Sequence, residues 1–480
     1  MTSLKDSATK GVIWSAIEKF SVQGVQFVIS IALARLLMPS DFGVIGMISI
    51  FIAISTTFVN SGMSSGLIQR QNRTELDYST VFVFNAVVSV LFYALLYLTA
   101  PYIATFYKTP LLTPIMRVIG LNIVISAFAV VQRSRLTIDL DFKTLAKVNV
   151  SSVLVSGGIA IYCAYTGFGV WSLVYKQLAA ALISVALLWY YSRWKPSLSF
   201  SKESFNNLFG FGSKLLIAGI YAQVFQNIYN LAIGKYYSSK ELGHYTQAKS
   251  ISEVVAGTVS SILSQVTFPL LSELQGDKKR MISIFRRIIR MSSFVIFPAM
   301  TCLAVLADPF VNFFLGAKWS DTIPLLQLMC FARIFYPLSV LNLSLLNSNG
   351  RSDLFLKVDL SKAPLIILGL WITIPLGVEA MVIANLIIAA ISYLINAYMP
   401  GKLFGYGIVS QLKEVWLTLV LSATMGLVVV FILSFFNSDL LKLLVGVFAS
   451  ALSYLGLSYL FKVRELDIFF NMARDLLRNR

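Results

Sequence analysis

In a chain of 480 residues of which 57% are apolar, the side chains able to do chemistry are conspicuous by their position. Lys19, Lys176, Lys249 and Arg333 lie inside long apolar runs, as do Glu18 and Glu253. An ionisable group in hydrocarbon is costly, so each must meet protein, water or a ligand. Lys249 and Glu253 are one helical turn apart and can pair, and a structural ion pair accounts for them as well as a working site does. Lys176 and Arg333 have no acid at helical spacing; they need a carboxylate from another helix, water, or an anionic ligand. Glu18 is the lone acid deep in its segment, and its neighbour Lys19 projects to a different face. Glu18 and Glu253 are therefore candidates to couple a proton or cation, with pairing to another helix as the plainer role. Cations outnumber acids in these runs, which suits an anionic headgroup whose phosphate oxygens accept charge-assisted hydrogen bonds.

Amides add to the pattern. Ser15, Lys19, Gln23, Gln26 and Ser30 recur at steps of three or four and form one stripe on a helix, and Gln223, Gln226, Asn227 and Asn230 do so again farther along. Taken one at a time, such amides bind helix to helix. Matched stripes in two places favour a wet cavity whose walls hydrogen-bond a polar substrate.

Other chemistries lack material. Neither Gly234-Lys235 nor Gly401-Lys402 has the glycine that a phosphate-binding loop places five residues earlier. The single histidine, His244, is expected at a turn, leaving no residues for a histidine-based metal site or a catalytic relay. Cys163, Cys302 and Cys330 show no paired spacing and read as small core residues. No cofactor, no metal and no enzyme activity are expected.

The elements that position these groups are transmembrane helices. A mean hydropathy of +0.77 with 13% charged residues is more apolar surface than one soluble core can bury. About fourteen apolar blocks of roughly 20 residues are long enough to cross a bilayer. They fall at 11–37, 42–68, 79–102, 114–132, 145–165, 168–191, 209–233, 249–272, 288–306, 322–346, 357–375, 377–399, 412–436 and 440–461. The first is too polar and too long for the apolar core of a signal peptide and is expected to be retained. The net charge of +17 is topological: with the N-terminus in the cytoplasm, about 28 of the 39 Lys and Arg lie in cytoplasmic tails and loops. Nucleic acid is not an expected partner. The densest run, Lys278, Lys279, Arg280, Arg286, Arg287 and Arg290, also suits anionic lipid headgroups. Both termini are expected in the cytoplasm.

Comparing the chain with itself at an offset of 200 reveals a repeat. Gln23 meets Gln223, Gln26 meets Gln226, Arg35 meets Lys235, Asp41 meets Glu241 and Gly43 meets Gly243. A six-helix period preserves orientation, so the repeats are parallel and predict two lobes about a pseudo-twofold axis along the membrane normal. The expected layout is a six-helix lobe over 1–192, a cytoplasmic linker over 193–207 serving as hinge, a second lobe over 208–400, and two extra helices with a cytoplasmic tail over 401–480.

The stretches ARLLMPSDFG (34–43) and NSGMSSGLIQR (60–70) resemble the opening signature of the polysaccharide transporter family, the Wzx-type O-antigen and exopolysaccharide flippases. That family belongs to the multidrug/oligosaccharidyl-lipid/polysaccharide exporter superfamily. QRSRLTIDLDF (132–142), GFGVWSLV (167–174), FFLGAKW (313–319) and NSNGRSD (347–353) extend the likeness over nearly the whole chain. The resemblance implies an all-α polytopic fold with a V-shaped pair of six-helix lobes plus two helices. It also implies a cationic central cavity and alternating access acting on undecaprenyl-diphosphate-linked sugar units.

The expected function is a bacterial inner-membrane flippase of lipid-linked oligosaccharide for O-antigen, exopolysaccharide or capsule synthesis. Lys19, Lys176 and Arg333 are expected on the diphosphate or acidic sugars and the six amides on glycan hydroxyls, with Lys249 a further cavity candidate. A glycan polymerase and glycosyltransferases of the same pathway are candidate partners. The rivals are a drug or cation antiporter of the same superfamily, kept open by Glu18 and Glu253, a glycan polymerase or ligase, and a passive scaffold.

Overall fold

The computed structural model describes residues 2–60 and 62–468, with side chains at all of these except 2–13, 15–17, 211, 262, 265, 266, 269 and 352. Ser15 of the first polar stripe thus lies outside the described side chains. Among the described residues the chain is helical throughout, without strands. The helices are α1 (Thr2–Leu36), α2 (Pro39–Asn60), α3 (Met63–Gln69), α4 (Glu75–Phe106), α5 (Leu112–Ile119), α6 (Leu121–Ala127), α7 (Val130–Ile138), α8 (Phe142–Tyr165), α9 (Trp171–Ser192) and α10 (Lys202–Tyr236). They continue as α11 (Ser239–Glu273), α12 (Lys278–Val305), α13 (Ala307–Phe310), α14 (Thr322–Ser348), α15 (Ser352–Leu360), α16 (Ala363–Thr373), α17 (Val378–Phe404), α18 (Ile408–Leu433) and α19 (Asp439–Leu460).

Ten spans among the described residues are long and apolar enough to cross a membrane, and α10, bent by 48° between Gly210 and Gly212, makes eleven. The protein is therefore a multi-pass membrane protein. The other three expected crossings fall on helices that are polar, as in α1 and α11, or interrupted, as where Ser361 and Lys362 part α15 from α16. Lipid replaces protein as the neighbour of much of this surface: only 17% of the apolar window of α19 is buried. Exposed Tyr102, Tyr165 and Tyr236 lie at helix ends, the depth at which amphipathic rings meet headgroups.

The chain forms two compact units, Met1–Thr246 and Gln247–Arg480, so α10 belongs with the first. In that unit α8 packs on α1 and α9, α4 packs on α5 and α6, and α10 lies along α2 and α3. Two turns 200 residues apart are capped alike. Asp41 Oδ2 accepts from the Met38 N–H at 2.9 Å, and Glu241 Oε2 accepts from the Ser238 N–H at 2.9 Å. The turns meet through glycine: a Cβ at Gly43 would fall on the Ser239 carbonyl, and one at Gly243 on the Pro39 carbonyl.

At the opposite end, the segment after α9 is tied to α4. Trp194 Nε1 donates to Glu75 at 2.7 Å, Ser197 and Ser79 share a 2.8 Å hydrogen bond, and the Ser201 N–H donates to Thr80 Oγ1 at 3.1 Å. Arg135 of α7 joins Glu75 at 3.2 Å and lies over the Tyr78 ring.

His244, expected at a turn, is instead buried in α11. The helix begins at Ser239, because the Ser238 side chain and Glu241 already satisfy its first turn.

In the second unit α14 packs on α12 and α17, and α18 and α19 pack on α12. The start of α18 is joined to the bundle by a buried polar network. Asn342 and Gln411 exchange two amide hydrogen bonds at 3.0 and 2.8 Å, and Tyr393 donates to Gln411 at 3.0 Å. Tyr406 donates to Glu414 at 2.7 Å, which Arg286 also holds. Burial, and then the Glu414 carboxylate, push the Tyr406 phenol up, so it remains a donor. Gln411→Ala leaves Asn342 Oδ1 and the Tyr393 hydroxyl without their partner, and should destabilise by about 1–3 kcal/mol, or roughly 3–8 °C in Tm. An unchanged melting curve in detergent would show that the network contributes nothing to stability.

Candidate functional site

Each unit carries its own charged groups. In the first, Lys19 and Gln26 on α1 are exposed and Gln23 is half-buried, and Lys176 on the second turn of α9 is half-buried. None of these four side chains bonds to another described residue. Glu18, one position from Lys19, accepts a hydrogen bond from Asn149 of α8. The Asn149 Oδ1 in turn accepts from Arg133 of α7 at 3.2 Å.

Arg133 was not among the expected site residues. Arg133 lies in the motif 132–142 but just past the apolar run 114–132, whereas the helix α7 continues to Ile138. The signal available in the sequence was the polar face of Gln132 to Arg135 following an apolar run without a break residue.

The second amide stripe has a different environment. Asn227 Oδ1 accepts from Ser49 Oγ of α2 at 3.2 Å, and Asn230 Nδ2 donates to that Ser49 Oγ at 3.0 Å. Both amides therefore join α10 to α2. Gln226 is exposed and Gln223 is half-buried, its backbone carbonyl accepting from Asn227.

In the second unit Arg333 of α14 is ion-paired with Glu253 of α11 and lies over the Tyr336 ring at 5.5 Å. The carboxylate that sequence spacing did not supply comes from another helix. Lys249 sits one turn before Glu253 on the same helix. Of the basic run at the start of α12, Arg286 and Arg290 pair with Glu414 and Glu465.

The motifs that carry the family likeness build turns. Thr74 and Asp77 form a capping box at the start of α4, and Arg70 pairs with Asp77 at 3.0 Å. Asp141 caps α8 through the Thr144 N–H at 3.0 Å. Trp319, after the turn at Gly316, is fully buried. A shallow recess of ≈ 390 Å³ beside α3 and α10 is lined by Gly66, Gln69, Arg70, Asn207 and Leu208, none of them an expected site residue.

The family model described as polysaccharide biosynthesis protein matches residues 32–324, more than half of the chain. The chain belongs to that family. It is 25% identical to the teichuronic acid biosynthesis protein TuaB of Bacillus subtilis, over 95% of this chain and 96% of that one. It is 24% identical to the lipopolysaccharide biosynthesis protein WzxC of Escherichia coli, over 89% of each. Among solved structures it resembles the lipid II flippase MurJ in an inward closed conformation, with a TM-score of 0.76 and 16% identity, over 94% of this chain and 98% of that chain. The last likeness is one of fold. The alignments to these relatives extend over both units.

Proposed function

We propose that the protein is a flippase of the bacterial cytoplasmic membrane. It moves undecaprenyl-diphosphate-linked oligosaccharide from the cytoplasmic to the periplasmic leaflet by alternating access, for the synthesis of O-antigen, exopolysaccharide or capsule. The observation that carries this reading is the set of intramembrane cations Lys19, Arg133 and Lys176, which have no ion-pair partner among the described residues. Cations in low dielectric that no carboxylate contacts directly attract an anionic headgroup, and a lipid diphosphate is the anion that the family resemblance implies.

In this reading α1, α11 and the pair α15 and α16 complete fourteen crossings, their polar faces turned from lipid. Both termini lie in the cytoplasm, and six-helix repeats occupy 1–192 and 208–400. The like capping of the two turns 200 residues apart supports the repeat. Because residues 194–201 are bonded to α4, we assign the flexure of the 193–207 region to the bend at 210–212. Glycosyltransferases and a glycan polymerase of the same pathway supply and consume the cargo.

The antiporter reading needs an acid open to a coupling ion. Glu253 is engaged by Arg333 and Glu18 by Asn149, so an ion would have to displace a group already there. A polymerase or ligase needs catalytic residues on a periplasmic domain, a layout that the flippase reading does not require.

Charge reversal tests the proposal. Lys176→Glu should cut surface-glycan export by roughly tenfold or more at normal protein level, as repulsion replaces attraction at one phosphate. Arg333→Glu adds a second acid beside Glu253 and should act in the same direction. Full export by both variants would end the case for an anionic cargo.

A further inference from the structure

Arg133 is an exposed guanidinium on α7 whose hydrogen-bond partners lie on α8 and α9. Its Nη2 donates to Asn149 Oδ1 at 3.2 Å and reaches Ser184 Oγ of α9 at 3.5 Å. Asn149 spends its own N–H on Glu18, which fixes the amide with its oxygen toward the arginine. Carboxylate, amide and guanidinium thus form a relay in which the acid orients the cation without touching it. The contrast with Arg70, Arg286 and Arg333 is direct, since each of those is in contact with a carboxylate.

A guanidinium carries five N–H groups in a planar fork. Asn149 and Ser184 occupy one nitrogen of Arg133, and the edge formed by Nε and Nη1 has no protein acceptor among the described residues. That edge matches two oxygens of one phosphate, and an ammonium cannot reproduce it. Lys176 lies eight residues from Ser184 along α9, toward the end that carries the Asp41 turn. At 1.5 Å per residue the two cations sit at levels about 12 Å apart.

Resting on the flippase reading above, we infer that Arg133 is a bidentate phosphate-binding residue for the lipid diphosphate, that Asn149 is its positioning residue, and that Lys176 is the next cation along the path. The headgroup meets Arg133 first when it enters from the end that bears residues 194–201, and passes to Lys176 before release. The lipid diphosphate, rather than an acidic sugar, is the source of the oxyanion, because the fork matches a phosphate edge and every cargo of such a carrier has one.

The test is binding of undecaprenyl diphosphate, without sugar, to the full chain in nanodiscs, followed by native mass spectrometry. Arg133→Gln should weaken binding by roughly tenfold or more. Arg133→Lys should retain the charge and recover only part of the loss. Asn149→Ala should weaken binding several-fold alone and add nothing in the Arg133→Gln background, as expected for two residues acting as one. The melting temperature of the lipid-free protein reports folding separately and should move little in Arg133→Lys. Lipid affinity unchanged in Arg133→Gln, with the natural protein binding tightly, overturns the inference and leaves the flippase reading standing. A loss seen only with a uronic-acid-bearing lipid overturns the phosphate assignment. A natural protein that binds no undecaprenyl diphosphate overturns the flippase reading and this inference with it.

Discussion

Gly43→Ala is expected to lower the melting temperature by about 3–10 °C, and Gly43→Leu to leave little folded protein and no glycan export. The place a Cβ would take at Gly43 is filled by the Ser239 backbone carbonyl, and the place at Gly243 by the Pro39 carbonyl. The obstruction is main chain on both sides, so no rotamer change relieves it. The N-terminal turns of α2 and α11 must move apart, and the Gly46 contacts with Leu242 and Thr246 one turn deeper separate with them. Gly243→Ala should cost as much as Gly43→Ala, because the contact is reciprocal. Gly257, also on α11, has nothing within 4 Å of its Cβ position. Gly257→Ala should therefore be neutral or stabilising by up to about 1 kcal/mol through helix propensity. The measurement is thermal unfolding of purified protein in one detergent, and equal shifts for Gly43→Ala and Gly257→Ala would contradict the packing account.

The second large effect is expected at the other end of the bundle. Asp77 is completely buried, accepts from the Thr74 N–H at 2.9 Å, and pairs with Arg70 at 3.0 Å. Arg70→Met leaves that carboxylate buried without its cation and should cost about 2–4 kcal/mol, below the full value for a buried pair because Arg70 is one-third exposed. Adding Asp77→Asn removes the stranded charge and keeps an oxygen for the Thr74 cap. The double variant should then be more stable than Arg70→Met alone. If it is less stable, the cost of Arg70→Met lies in lost packing of the arginine stem and the buried-charge argument fails.

Some of the candidate site was legible before any coordinates. The cost of polar groups in hydrocarbon picked out Glu18, Lys19, Lys176, Lys249, Glu253 and Arg333, and a four-residue step brought Lys249 to Glu253 on one face of α11. What spacing along one helix cannot supply is the partner from another. Ser49 is 178 residues from Asn227, Glu253 is 80 from Arg333, and Glu18 is 131 from Asn149. The bonds that Asn227 and Asn230 make to Ser49 of α2 were therefore not readable from the stripe itself. Arg133 was missed because an apolar run ends where hydropathy falls, whereas a helix ends where its carbonyls find another partner. Here that point is Asp139, after one and a half more turns.

The sequence by itself determined that the chain crosses a membrane many times in helices, that cations exceed acids within those helices, and that two stretches 200 residues apart are built alike. These follow from composition, period and spacing, which are properties of the chain read in one dimension, and the short motifs at 34–43 and 60–70 pointed to the family. Tertiary structure alone decided which cations contact an acid from another helix, as Arg333 contacts Glu253. It also decided that Gly43 and Gly243 meet each other's turns, and that α18 is bonded to α14 and α17 through Gln411. The reason is that charge pairing and backbone contact fall off within a few ångströms, and only the folded chain brings residues separated by tens to hundreds of positions to that distance.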